Sequence, residues 1–195
     1  AIEVHVPGYV DNPGEINISG IGCSINGQYK TAGLKDGWYS LSGECNADIK
    51  CYDQYPYNFT KNSVVRIIFN GGQRCTGTLM NNTALNGENY ILTAKHCIGT
   101  EYLANTAVFY FGYESPSCDG PDGNSSFSAS GATIVSKADS LDFVLLKLLE
   151  EVPFYYHPVY AGWDVSGNTP ASGYTIHHPL GDVKKISFEN HQLIS

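Results

Sequence analysis

Short apolar runs separated by turn residues dominate the chain from residue 64 onward. The run VVRIIF (64–69) is rich in β-branched residues and ends at NGG, which is typical of a strand entering a hairpin turn. The other strand-like segments are CTGTLM (75–80), YILTA (90–94), TAVFYFGY (106–113), ATIVSKA (132–138), DFVLLKLL (142–149), GYTIHHP (173–179) and KKISFEN (184–190). No amphipathic helical pattern of any length is seen, so the chain is predicted to be all-β, a barrel or a sandwich.

The first 44 residues differ from this pattern. Turn chemistry prevails in GYVDNPGE, SGIGC and LKDGW, and only IEVHV (2–6) shows the alternation of a short strand. The whole chain of 195 residues is long enough for one domain, or for two small barrels that share a core.

Charge and hydropathy exclude some classes of function. The net charge is −8, from 19 acidic and 11 basic residues, and nucleic-acid binding calls for a basic surface instead. No apolar run approaches the roughly 18 residues that cross a bilayer, so no membrane span is expected. The sequence does not begin with Met, and we expect a processed chain whose signal peptide has been removed.

The six cysteines, at positions 23, 45, 51, 75, 97 and 118, favour disulfides over a metal site. Their number is even and their spacing wide, whereas metal sites usually contain closely paired ligands such as C-x2-C, which do not occur. Disulfides form in oxidising compartments, so the chain is expected to be secreted or extracellular. No cofactor or metal ion is predicted.

One histidine and one aspartate are candidate catalytic residues. His96 lies in TAKHC (93–97), and Asp142 opens the apolar run DFVLLKL, 46 residues later. In the Ser-His-Asp triad of chymotrypsin the corresponding interval is about 45 residues, and the buried carboxylate orients the imidazole. A lone His beside a Cys is usually structural, and an Asp before a strand is often a turn residue. The conjunction of motif, cysteines and spacing favours the catalytic interpretation.

The chain resembles the trypsin-like peptidases, and more closely the secreted bacterial lysyl endopeptidases. The matching stretches are CNADIKC (45–51), CTGTLMNNTALNGENYILTAKHC (75–97), DFVLLKL (142–148) and YAGWDVSGNTPASGYTIHHPLGDVKKIS (160–187). The resemblance implies a double β-barrel, of which this chain contains the first barrel and the start of the second. It divides the chain into an N-terminal extension or propeptide remnant (1–44), the first barrel (45–158), and a linker with the first strands of the second barrel (159–195).

The resemblance also implies residue roles. His96 is the general base and Asp142 its orienting carboxylate, and the disulfides are Cys75–Cys97 and Cys51–Cys118. The family's partner for the Cys45 position is absent, so Cys45 either bonds to Cys23 or stays unpaired.

The HHP segment also resembles the family, and metal binding by its histidines is disfavoured. Neighbouring residues on a strand point to opposite faces, so His177 and His178 do not easily chelate one ion. We expect a structural role for one of them and a surface or cleft-lining role for the other.

A catalytic serine is not recognisable. Only 53 residues follow Asp142, whereas the template places the serine about 93 residues after its aspartate. No G-x-S-G occurs there, and Ser166, Ser172, Ser187 and Ser195 lack a glycine-rich context that would supply oxyanion donors. The serine, the oxyanion hole and the specificity pocket are therefore expected outside this chain.

The sequence leaves competing interpretations. The first is the N-terminal portion of a serine endopeptidase that cleaves proteins or peptides after Lys or another basic residue, inactive by itself and completed by a second chain or a missing C-terminal segment. The second is a catalytically inactive, protease-like binding module. A third treats His96 and Asp142 as an incidental pair in an unrelated β-barrel.

Overall fold

The computed structural model describes residues 42–43 and 46–192, and most of the regular secondary structure among them is β-strand. The ten strands are β1 (Ala47–Asp48), β2 (Val64–Phe69), β3 (Gln73–Met80), β4 (Tyr90–Ala94), β5 (Val108–Phe111), β6 (Ser128–Ser130), β7 (Ala132–Ala138), β8 (Phe143–Leu148), β9 (Gly173–His177) and β10 (Lys185–Glu189). Two short helices, α1 (Tyr57–Thr60) and α2 (Glu101–Thr106), connect them. The all-β class expected from the sequence is confirmed. The strand expected at residues 2–6 lies outside the described residues.

Seven strands form one antiparallel sheet in the order β6-β5-β2-β3-β4-β8-β7. Its two edge strands, β6 and β7, are consecutive in the chain, with only Gly131 between them. Gly131 has a φ of 75°, and it hydrogen-bonds through its N–H to the carbonyl of Ala107. The sheet therefore curls until its two edge strands come together at Gly131.

Alternate residues of the curled sheet face a common core, as the period of a strand requires. Val65, Ile67, Leu79, Ile91, Phe109, Val144 and Leu146 are all fully buried. The apolar runs recognised in the sequence supply most of this interior. Among the described residues, no helix combines the length and the apolarity needed to cross a membrane.

The last two strands and β1 form a separate, small three-stranded sheet in the order β1-β10-β9. Because Ala47 pairs with Ile186, this sheet joins the start of the described chain to its end. The sheet approaches the outer face of β2 and β3, where His178 donates its main-chain N–H to the hydroxyl of Thr76. The division of the chain at residues 44 and 158 stays a prediction.

Candidate active site

His96 lies in the turn that follows β4. The turn begins where β4 ends, and Cys97 donates its N–H to the carbonyl of Ala94 at 3.1 Å. Cys97 and Ile98 are buried, whereas the side chain of His96 is 72 % exposed. Two apolar residues thus anchor the turn in the core and leave the imidazole at the surface.

Asp142 lies at the neighbouring end of the adjacent strand. β4 and β8 are antiparallel, and their last register pair is Ala94 with Phe143. Asp142 precedes Phe143 and has a φ of 47°, a left-handed conformation that Asp and Asn adopt more readily than most residues. The carbonyl of Asp142 accepts the N–H of Lys95 at 3.1 Å, which extends the ladder by one bond. Strand pairing therefore brings His96 and Asp142 together although 46 residues separate them.

The carboxylate of Asp142 makes two hydrogen bonds to His96. Oδ1 accepts the backbone N–H of His96 at 2.9 Å, and Oδ2 lies 2.6 Å from the ring Nδ1. A carboxylate at Nδ1 favours the tautomer that carries its proton there, which leaves the lone pair of Nε2 free to accept a proton. An imidazole held in this way is able to act as a general base at Nε2.

The hydrogen bonds from His96 hold the pKa of the Asp142 carboxyl below its ordinary value. The ring contributes most, followed by the backbone N–H, and the charge of Lys95 adds to the effect. Asp142 is 51 % exposed, so water screens these interactions. The carboxylate is ionised at neutral pH and able to stabilise a protonated imidazole.

Asp139 is a second acidic residue that contacts the turn containing His96. Lys95 Nζ lies 2.5 Å from Asp139 Oδ1, and this contact lowers the pKa of Asp139. Asp142 also donates its N–H to the carbonyl of Asp139. The ion pair is exposed and contributes little stability, and the sequence analysis did not identify it.

Two of the three expected disulfides are present. Cys75 bonds to Cys97, and Cys51 bonds to Cys118. Cys23 and Cys45 lie outside the described residues, so the expected Cys23–Cys45 bridge stays a prediction. The Cys75–Cys97 bridge ties β3 to the residue that directly follows His96.

The disulfides also bear on metal binding. Two groups of potential metal ligands occur in the described part of the chain, and each contains one of these bonded cysteine pairs: Cys75, His96 and Cys97 in one, and Cys51, Cys118 and Asp119 in the other. A metal-binding cysteine acts as a free thiolate, so a disulfide removes two ligands from each group.

The candidate serines stand in other environments. Ser166 Oγ bonds to Asp164 Oδ2 at 3.0 Å, and Ser187 Oγ bonds to Asn46 Oδ1 at 3.3 Å. Ser172 is exposed on the connection before β9, and Ser195 is outside the described residues. Within the residues that the structure describes, no serine hydroxyl is hydrogen-bonded to His96.

His177 and His178 point into different surroundings. His177 Nε2 lies 3.0 Å from Asn46 Oδ1 and is half-buried, whereas His178 is buried with its Nδ1 3.0 Å from the carbonyl of Asp182. Burial lowers the pKa of both rings, most strongly that of His178. His178 has the structural environment expected for one of the two.

Sequence reasoning missed one buried polar residue beside the site. Thr93 is 8 % exposed, and its hydroxyl donates to the carbonyl of Thr76 at 2.8 Å. The detectable signal was a hydroxyl at an inward position of YILTA, where the alternation of the strand calls for an apolar side chain.

Comparison with known proteins places the chain in a family. Residues 39–195 match the family model described as lysyl endopeptidase, C-terminal domain. The lysyl endopeptidase of Pseudomonas aeruginosa is 31 % identical over 193 residues, which cover 91 % of this chain and 41 % of that protein. Secreted RxLR effector protein 73 of Plasmopara viticola is 32 % identical over 117 residues, which cover 53 % of this chain and 28 % of that protein. The chain thus spans less than half the length of either relative.

Two solved structures show weaker similarity. The Rv3671c protease in its inactive form is 20 % identical, with a TM-score of 0.41 over 65 % of this chain and 50 % of that one. Deg5 is 19 % identical, with a TM-score of 0.45 over 68 % of this chain and 58 % of that one. The assignment depends instead on the family match, which extends over more than half of the sequence and includes both His96 and Asp142. The chain belongs to the lysyl endopeptidase family.

Proposed function

We propose that this chain carries the general base and the orienting carboxylate of a secreted serine endopeptidase. The observation that carries the proposal is the double hydrogen bond from His96 to Asp142, at 2.9 Å and 2.6 Å. An incidental surface pair requires only one contact. Here both carboxylate oxygens are engaged, and Nε2 is left for a nucleophile.

The proposed reaction is acyl transfer. A serine hydroxyl from outside this chain attacks the carbonyl carbon of the peptide bond, and its proton passes to Nε2 of His96. The C–N bond then breaks as His96 returns that proton to the leaving amine. Water repeats the sequence to hydrolyse the acyl-enzyme, while Asp142 stabilises each imidazolium.

Membership of the family supports a preference for Lys, or another basic residue, on the acyl side of the cleaved bond. The serine, the oxyanion hole and the specificity pocket belong to a second chain or a further segment that completes the fold. The two disulfides and the secreted character named for one relative support an extracellular location.

Labelling with a fluorophosphonate, which reacts with activated serines, tests the proposal. The native protein is purified from its source, treated with the probe, and weighed intact, both reduced and non-reduced. We expect a species larger than 21.2 kDa, or an associated second polypeptide, to gain the mass of the probe. His96→Ala should abolish labelling, and His191→Ala, which replaces an exposed histidine on another loop, should not.

Substrate preference is tested separately, on a sample of the probe-reactive species that has not been treated with the probe. Peptide amides that differ only in Lys, Arg or Leu at the cleaved position should be hydrolysed fastest for Lys. Equal rates for Lys and Leu would overturn the proposed specificity and leave the serine mechanism intact.

A binding module without catalysis is the second candidate. It is favoured by one observation: in the described part of the chain, His96 has no serine hydroxyl within hydrogen-bonding distance. If the native protein consists only of this chain and gains no mass from the probe, the module interpretation replaces the enzyme.

A further inference from the structure

The ladder of main-chain hydrogen bonds comes closer to the turn that carries His96 on the β8 side than on the β3 side. Toward β8 the ladder continues to Ala94, the last residue of β4. Toward β3 the last register pair is Thr78 with Leu92, four residues before His96. On the β3 side, other contacts must therefore hold the turn in place.

Thr93 supplies one of these contacts. Its side chain lies inside the curled sheet, and its hydroxyl donates to the carbonyl of Thr76 at 2.8 Å, beyond the end of the β3–β4 ladder. The other contact is the Cys75–Cys97 disulfide. The two contacts bracket His96, one three residues before it and one directly after it.

Thr76 is itself attached to the small sheet. Its hydroxyl accepts the main-chain N–H of His178 at 2.9 Å, while its carbonyl accepts the hydroxyl of Thr93. His178 is buried and directly follows β9, an edge strand of the small sheet. A chain of two hydrogen bonds thus connects the small sheet to β4, the strand that leads into the His96 turn.

We propose that Thr93 is a positioning residue for His96, and that Thr76 couples its position to the docking of the small sheet. The inference rests on the proposed function, in which His96 is the base. Hydrogen bonds prefer angles above about 150° and weaken steeply below about 120°, so a tilt of the turn changes how well Nδ1 faces Asp142. The Thr93 bond limits that tilt from the side opposite Asp142.

Thr93→Val tests the first link, because valine keeps the branched shape and removes the donor. NMR of this chain follows the proton between His96 Nδ1 and Asp142 Oδ2. We expect the resonance of this proton to broaden or disappear through faster exchange with solvent. Thr93→Ser, which keeps the hydroxyl, should restore the signal.

Thr106→Val is the matched control. The Thr106 hydroxyl also donates to a backbone carbonyl, that of Tyr102 at 2.9 Å, but at an exposed position in α2. This variant should leave the His96 proton unchanged. An unchanged signal in Thr93→Val would overturn the positioning role. If Thr93→Val does not fold, Thr93→Ala applies the same test with a smaller side chain.

Thr76→Val tests the second link. It removes the acceptor for the N–H of His178 and keeps the carbonyl that accepts from Thr93. The coupling requires the His96 proton to exchange faster in this variant than in the wild type. Unchanged exchange would show that docking of the small sheet does not reach the base.

Kinetic constants distinguish a positioning role of Thr93 from a purely structural one. The serine-bearing form is the species that the fluorophosphonate labels. In that form, Thr93→Val should lower kcat by up to about 100-fold, with KM nearly unchanged, because misplacement of His96 affects the chemical step. A rise in KM of up to about 100-fold without loss of kcat would count against a positioning role. The NMR test needs no nucleophile, so its outcome is independent of whether the fluorophosphonate labels the protein.

Discussion

The backbone of Asp142 is left-handed, with a φ of 47°, while its two carboxylate oxygens both face His96. Few side chains tolerate that conformation without strain, and Asn is one of them. Asp142→Asn therefore changes charge and hydrogen-bonding chemistry while it preserves the backbone.

We expect Asp142→Asn to reduce kcat of the serine-bearing form by about 10⁴-fold, as the equivalent change does in the chymotrypsin template. The amide NH₂ would face Nδ1 and favour the tautomer in which Nε2 carries the proton. Steady-state kinetics measure this loss.

Asp139→Asn is the control, because Asp139 pairs with Lys95 and has no contact with the imidazole. The prediction is wrong if the two variants lose activity equally.

At the scale of single elements, Gly77 of β3 leaves space for side chains of the two neighbouring strands. A Cβ on Gly77 would lie 2.7 Å from Ile91 Cγ2 and 2.9 Å from Ile67 Cδ1, both in the core. Strands β2 and β4 thus pack their side chains over the backbone of β3.

Gly77→Ala should lower the free energy of unfolding by about 1–3 kcal/mol, because overpacking forces neighbouring core residues to move. Urea denaturation measures the change. Gly162→Ala is the matched control, since a Cβ there meets no atom within 4 Å. Similar unfolding midpoints for the two variants would show that the core adjusts without cost.

The two disulfides close loops of different length, with sequence separations of 67 for Cys51–Cys118 and 22 for Cys75–Cys97. Removing either pair by alanine substitution should cost about 3–4 kcal/mol of stability. Only the loss of Cys75–Cys97 should also disturb the His96–Asp142 proton in NMR spectra. Equal disturbance by both removals would indicate a global rather than a local effect.

The sequence predicted the elements best where apolar side chains alternate over a common core. The bounds of β2, β4 and β7 coincide with the apolar runs. β6 was missed because Ser128–Ser130 has small side chains and forms a strand by pairing with β5. The pairing of β1 with β10 could not be predicted either, because nearly 140 residues separate the partners and a strand of two residues is too short to show an alternating pattern.

At the scale of the whole molecule, the two sheets meet through buried polar groups. Arg66 is 5 % exposed and lies over the ring of Tyr113, and Lys184 is fully buried with Nζ donating to the carbonyl of Lys61 at 2.7 Å. Burial lowers the pKa of Lys184 to about 8. Charged residues are almost never fully buried unless they are paired, so sequence alone would have placed this lysine at the surface.

His178 makes this junction sensitive to acid. Burial lowers the pKa of its imidazole well below the ordinary value, and the charges of Lys184, Arg66 and His177 act in the same direction, opposed by the carbonyl of Asp182. The unfolded chain takes up this proton more readily than the folded one. The contribution to stability is therefore complete above about pH 6.5 and is lost progressively as the pH falls.

We expect the free energy of unfolding to decrease as the pH falls below about 6.5, and to decrease less in His178→Gln, which cannot take up a proton. Chemical denaturation at a series of pH values measures both. His191→Gln is the control, because His191 is exposed and is paired with Glu189. Parallel pH profiles for His178→Gln and the wild type would contradict the prediction.

The pairing of Ala94 with Phe143 has a consequence for how such sequences diverge. Backbone register brings His96 and Asp142 together, so replacements at positions other than Thr93 can accumulate in β4 and β8 without separating the two side chains. Deleting one residue from either strand would turn every following side chain to the opposite face. Homologues should therefore differ by substitution in these strands and accept insertions or deletions only in connections such as 112–127 and 149–172.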